Sequence, residues 1–232
     1  MNPYPLAFVA LLLALLLAAC GTPEPREPAW QGAARGALND YVRLRLEGND
    51  ILAARTYSSA LERMRDGGDL DGLHTVALAR CAMDTALLKH GECSEFSLRA
   101  AGARAEALAY HDWLRGTLPA SRIAQLPERY RAFAAAVASG QAGAVTAALR
   151  AISDPISRMV ATGVAQQARL IDATALADSA QVARTQGWRA AHRAYEEARA
   201  QALDAAGRSA EAATVRARLR ALFAAEPAGK PQ

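Results

Sequence analysis

Residues 176–207 read LADSAQVARTQGWRAAHRAYEEARAQALDAAG, two helix-forming runs hinged at Gly187 and closed by Gly207. Past the hinge, Trp188, Ala191, Tyr195 and Ala198 follow at spacings of three, four and three. That spacing places them on one helical face just beyond the turn, the face that must close on the preceding helix. Ala142, Val145, Leu149 and Ile152 repeat the layout after Gly140, ahead of Asp154-Pro155. Leu70, Leu73, Ala77 and Arg80 repeat it after Gly68, with a charge at the last position. Further stops at Gly48, Gly91 and Gly116 cut the chain into short helices joined by tight turns, a series of αα-hairpins. The fold class is all-α.

Outward from this hairpin the same reading covers the chain from position 33 to 225. Leu38, Tyr41, Val42, Leu44 and Leu46 mark a first helix, and Asp50 begins a second that carries Leu52, Tyr57, Leu61 and Met64. Asp69 or Asp71 starts a third helix, expected to run through Leu73, Val76 and Leu78 to Lys89-His90. Ser94 is expected to cap a fourth that reaches Trp113-Leu114. Leu118-Pro119 and Leu126-Pro127 punctuate a helix-poor connection, after which helices are expected near 127–138, 142–152, 155–186, 188–206 and 209–225. The tail, 226–232, holds two prolines and a glycine and is expected to fray.

The glycine hinge followed by small, bulky and small residues on one face resembles the second helix of a tetratricopeptide repeat. The match is fullest from Leu176 to Gly207 and next best from Gly140 to Pro155, where the proline falls near that family's helix end. The hinges are not evenly spaced, and three-four-three is also the spacing of any amphipathic helix. Two layouts stay open: a right-handed tetratricopeptide-like solenoid, or an irregular helical bundle.

Hydrophobic residues make up 52% and charged residues 22%, the balance of a folded chain. The net charge is +4, but arginine is spread along every helix among Asp and Glu, so no basic block points to nucleic acid.

The N-terminus addresses location. An apolar run, Leu6 to Ala19, is too short to span a bilayer and ends in Leu17-Ala18-Ala19-Cys20. This resembles the lipobox of bacterial lipoproteins, although Met1-Asn2-Pro3-Tyr4-Pro5 lacks the usual Lys or Arg. The resemblance implies a signal peptide over 1–19, with Cys20 as the diacylated, N-acylated first residue of the mature chain. Gly21 rather than Asp after the cysteine favours the outer membrane, with the inner membrane as the alternative. Residues 20–32 then form the lipidated start and a proline-rich tether, in which Trp30 is expected to begin the fold.

Cys81 and Cys93 are the remaining thiols, and two thiols in an oxidising compartment suggest a disulfide. A straight helix from Cys81 to His90 would separate its ends by about 13 Å. Three extended residues return only about 10 Å, so the bridge requires the helix to stop early, near Leu87, or to bend. Cys81, His90 and Cys93 have no recognised metal-ligand spacing, and no cofactor is expected. His74, His90, His111 and His192 form no catalytic or metal motif. Asp66 to Asp71 lacks the ligand alternation of a calcium loop and reads as a capping turn.

No catalytic residue emerges. The expected function is an outer-membrane-anchored interaction or scaffold module on the periplasmic face, with a protein partner. Candidate contacts are Tyr57, Tyr110, Trp113, Tyr130 and Trp188. The alternatives are a small-ligand-binding helical lipoprotein and a peptidoglycan-active enzyme. An exposed groove of apolar and arginine residues would favour a partner, and a closed cavity a ligand.

Overall fold

A computed structural model describes residues 28–224, which form eleven α-helices, one 3-10 helix and no strand. Cys20, the lipobox, most of the tether and the 226–232 tail lie outside the described residues.

The first hairpin pairs α1 (Ala29–Glu47) with α2 (Asp50–Asp66). α1 begins behind Pro28, four residues before the expected start, and Trp30 packs on the core against Gly67. Gly48 takes a left-handed conformation that ends α1, and the Asn49 side chain, not Asp50, accepts the Leu52 amide to start α2.

α3 (Leu70–Ala86) starts on the Asp69 cap. It buries Val76, Ala77, Leu78, Cys81, Ala82, Met83 and Ala86, residues that wrap most of its circumference. A helix apolar nearly all round belongs in the middle of a bundle. α8 (Pro155–Gln167) is its counterpart, burying Met159 through Ala165. Asp154 caps it at 2.7 Å from the Ser157 amide, so Pro155 opens a helix here rather than closing one. The two central helices meet where Gly163 lies against the Thr85 backbone.

The remaining helices surround this pair. α4 (Ser94–Ser97), α5 (Ala105–Leu114) and the 3-10 helix (Ala120–Gln125) form one side. α6 (Glu128–Ala138) and α7 (Ala142–Ala151) form the next hairpin, and α9 (Ala173–Thr185), α10 (Arg189–Ala205) and α11 (Ser209–Phe223) the last. Tyr195 donates its hydroxyl to the Met159 carbonyl at 2.9 Å, pinning α10 to α8. α10 also packs against α1, so the ends of the array meet. Repeats of an open solenoid touch only their neighbours. This array is closed into an irregular bundle, with a small separate cluster of Ala200, Leu203, Ala212, Val215 and Leu219 holding α11.

Three further helix boundaries differ clearly from expectation. α3 stops at Ala86 because Leu88, not Gly91, adopts the left-handed conformation, and the Lys89 amide returns to the Asp84 carbonyl. The helix expected from Ser94 to Leu114 is broken over 98–104, where Gly102 has positive φ. The helix expected over 155–186 is two: Arg169 turns left-handed, and Asp172 accepts the Thr174 and Ala175 amides to begin α9.

Candidate functional site

One stripe of the central helix α3 faces a groove, with Thr75 exposed, Asp71 half-buried and His74, Leu78 and Ala82 buried. Asp71, His74, Thr75, Leu78 and Ala82 lie along it at helical spacing, opposite Ile156 and Val160 of α8. Tyr110 of α5, Leu126 at the end of the 3-10 helix and Tyr130 of α6 complete a groove of about 700 Å³. Its floor is apolar. Its rim carries the exposed residues Thr75, Arg104, Glu106, Arg129 and Arg131, so the groove opens to solvent.

The aromatic end is built in depth. The Tyr110 and Tyr130 rings stack with centroids 5.8 Å apart, Trp113 packs behind Tyr130 at 4.5 Å, and Phe133 meets Trp113 edge-on. Arg129 lies over the Tyr130 ring at 5.3 Å. Burial first, then the neighbouring Tyr130 hydroxyl, push the Tyr110 phenol well above its ordinary pKa, so the phenol stays protonated. At the other end Arg104 pairs with Asp71. His74, 1% exposed, donates Nε2–H to the Arg99 carbonyl at 2.7 Å. With the proton on Nε2, Nδ1 presents a lone pair, and that buried atom has no hydrogen-bond partner.

No known protein family, characterised protein or solved structure matches the chain.

Beside the groove, Cys81 and Cys93 form a disulfide, with Cα atoms 5.3 Å apart. The early end of α3 supplies the reversal that a straight helix to His90 would have denied. The bridge anchors the segment that leads into α4 and on to Arg99, the partner of His74.

The candidate aromatics divide. Tyr110 and Tyr130 line the groove, Tyr130 with its ring buried in the core, whereas Trp113 and Trp188 are core residues away from it. Tyr57 is buried elsewhere, 5.0 Å from Tyr41 and beneath Arg80. His90 meets Gln166, and His192 meets the Ala180 carbonyl. Arg193 pairs with Glu197 on the exposed side of α10, and Arg199 pairs with Glu196 where both are half-buried. Among the described residues no group of three or more His, Cys, Asp or Glu is placed to hold a metal ion, and no helix is long and apolar enough to cross a membrane.

One apposition was not legible in the sequence. Ser97 Oγ lies 3.5 Å from His111 Nε2, whose Nδ1 lies 3.4 Å from Asp112 Oδ1. The order resembles a nucleophile, base and orienting carboxylate, but both contacts are at the outer limit of hydrogen bonding. Asp112 is also engaged by Arg122 at 2.6 Å, and neither Ser97 nor His111 lines the groove. A serine outside the groove and 3.5 Å from the imidazole gains little from it. We expect no labelling of Ser97 by a fluorophosphonate probe, read by peptide mass spectrometry. Stoichiometric labelling lost in His111→Ala would establish an enzyme instead.

Proposed function

We propose that the chain is a lipid-anchored envelope protein, tethered through Cys20 to the outer membrane, that docks a protein partner in the groove between α3, α5, α6 and α8. The observation that carries the docking half is the form of the groove: apolar along its floor, open to solvent, and rimmed by Arg104, Arg129 and Arg131. The floor residues Leu78, Leu126 and Val160 are buried beneath the opening, so a partner would meet the partly exposed Ala107, Tyr110 and Ile156 and the arginine rim. A sealed cavity would favour a small ligand, and this one is not sealed. The lipobox carries the anchoring half, and a disulfide in the domain suits an oxidising compartment.

The closure of the array bears on which face binds. A tetratricopeptide stack offers its inner concave face, but here α1 and α10 meet and the central helices fill the interior. Docking is therefore assigned to the lateral groove. A photoreactive amino acid placed in turn at Thr75, Arg129 and the remote Leu222 of the anchored protein tests the assignment, in the wild-type background and with Cys20→Ala.

A further inference from the structure

We propose that the end of the bundle from which the tether leaves rests on the lipid surface, with Leu98 and Leu70 set into it, a contact that rests on the anchoring of Cys20 and names the face the anchor brings to the bilayer.

Trp30 fixes where the tether leaves. Its ring lies against Gly67, so closely that a Cβ there would fall 2.5 Å from it, which seats the start of α1 on the turn between α2 and α3. Leu70 opens α3 three residues later and is 49% exposed. Its Cδ2 lies against the 98–104 segment, 3.2 Å from where a Gly102 Cβ would stand. Leu98 begins that segment, next to the Arg99 carbonyl that meets His74 one turn along α3. At 84% it is the most exposed large apolar side chain among the described residues. Trp30, only half-buried, adds a ring of the kind that favours the membrane interface. Exposed leucines scattered singly need no explanation; these two stand beside the point where the chain leaves for its lipid.

Reach decides the orientation. Nine residue steps separate Cys20 from Ala29 and span at most about 30 Å. α1 runs about 27 Å from this end to the Gly48 turn. Ile51, 72% exposed beyond that turn, therefore comes down to the bilayer only with the tether drawn out along the whole of α1. Two leucines hold a free protein on a bilayer only weakly, but the anchor keeps them at high local concentration beside it, so weak insertion suffices. The arginines nearby are paired, Arg99 with Glu95 and Arg104 with Asp71, so the contact rests on the leucines rather than on lipid charge.

The chain from residue 20 onward is coupled through Cys20, the one cysteine outside the disulfide, to a maleimide phospholipid. It is held in phosphatidylcholine nanodiscs that carry nitroxide-labelled lipid, and the broadening of leucine and isoleucine methyls is read by NMR. Leu70 and Leu98 are expected to broaden severalfold more than Ile51 and Leu222, which are comparably exposed. Equal broadening of all four, or broadening centred on Ile51, would overturn the contact. Leu70→Glu combined with Leu98→Glu is expected to even out the pattern, and a pattern unchanged in that variant would overturn the part given to the leucines. The wild-type pattern decides the matter even if the double variant does not fold. A discrete protein adduct from a photoreactive residue at Leu98 in intact cells would overturn the lipid surface in favour of a protein at this end. Chemical coupling makes the nanodisc result independent of lipidation in the cell, which the mass of the Cys20 peptide from cell envelopes reads separately. An unacylated Cys20 there would overturn the anchoring on which the contact rests, whereas acylated Cys20 with equal broadening overturns the contact alone.

Discussion

Gly163→Ala is expected to destabilise the protein more than any other single-methyl addition in the bundle. A Cβ at this position overlaps the Thr85 carbonyl oxygen and lies 2.7 Å from its carbon and 2.9 Å from Thr85 Cγ2. The obstacle is backbone on the facing central helix, so no rotamer change relieves it; α3 and α8 must separate. Overpacking of this kind costs about 3 kcal/mol, the upper part of its usual range. For a domain of this size that lowers Tm by roughly 6–12 °C. Gly143 supplies the control: it is also helical, but its Cβ would meet nothing within 4 Å. Gly143→Ala should raise stability by about 0.5–1 kcal/mol through helix propensity alone. Urea unfolding of both variants checks the pair. Equal effects at the two positions would contradict the close crossing of α3 and α8.

Removing the disulfide is expected to have an effect of similar size by a different route. Cys81 and Cys93 are 12 residues apart, and closing a loop of that length restricts the unfolded chain by about 3 kcal/mol. Cys81→Ala with Cys93→Ser should therefore shift the urea midpoint down, and reductant should shift the wild type by a similar amount while leaving the variant unmoved. There is a local consequence as well. The bridge ties down the start of the 94–104 segment, whose Arg99 carbonyl fixes the His74 ring. Amide exchange in that segment should quicken before the core opens. A wild-type midpoint insensitive to reductant would contradict the account.

How much of this could be read from residues alone depends on whether the determinants are local. Six of the expected stops, among them Gly48 and Gly187, carry positive φ, because a left-handed helix end has a strong local preference for glycine. The same logic failed where a side chain took the glycine's place. Leu88 and Arg169 adopt positive φ at a cost of about 1 kcal/mol; Leu88 is held by packing on the core, and Leu170 and Ile171 pack there after Arg169. Asp172 was the available signal for the second break, an N-cap in the middle of what reads as one helix. The central placement of α3 was partly legible, since Leu70–Ala86 has few charges and apolar residues on most sides. The groove was not. Its walls come from α1, α3, α5, α6 and α8, and only tertiary packing brings Tyr110, Tyr130 and His74 to one cleft. The early end of α3 decided the disulfide, and that too turned on a left-handed leucine.

Photocrosslinking in intact cells tests the central claim most directly. With the photoreactive residue at Thr75 or Arg129, the account predicts one discrete adduct with a single envelope protein, absent from position 222 and lost with Cys20→Ala. Adducts of equal yield from Leu222, or none from either groove position in correctly anchored protein, would contradict it.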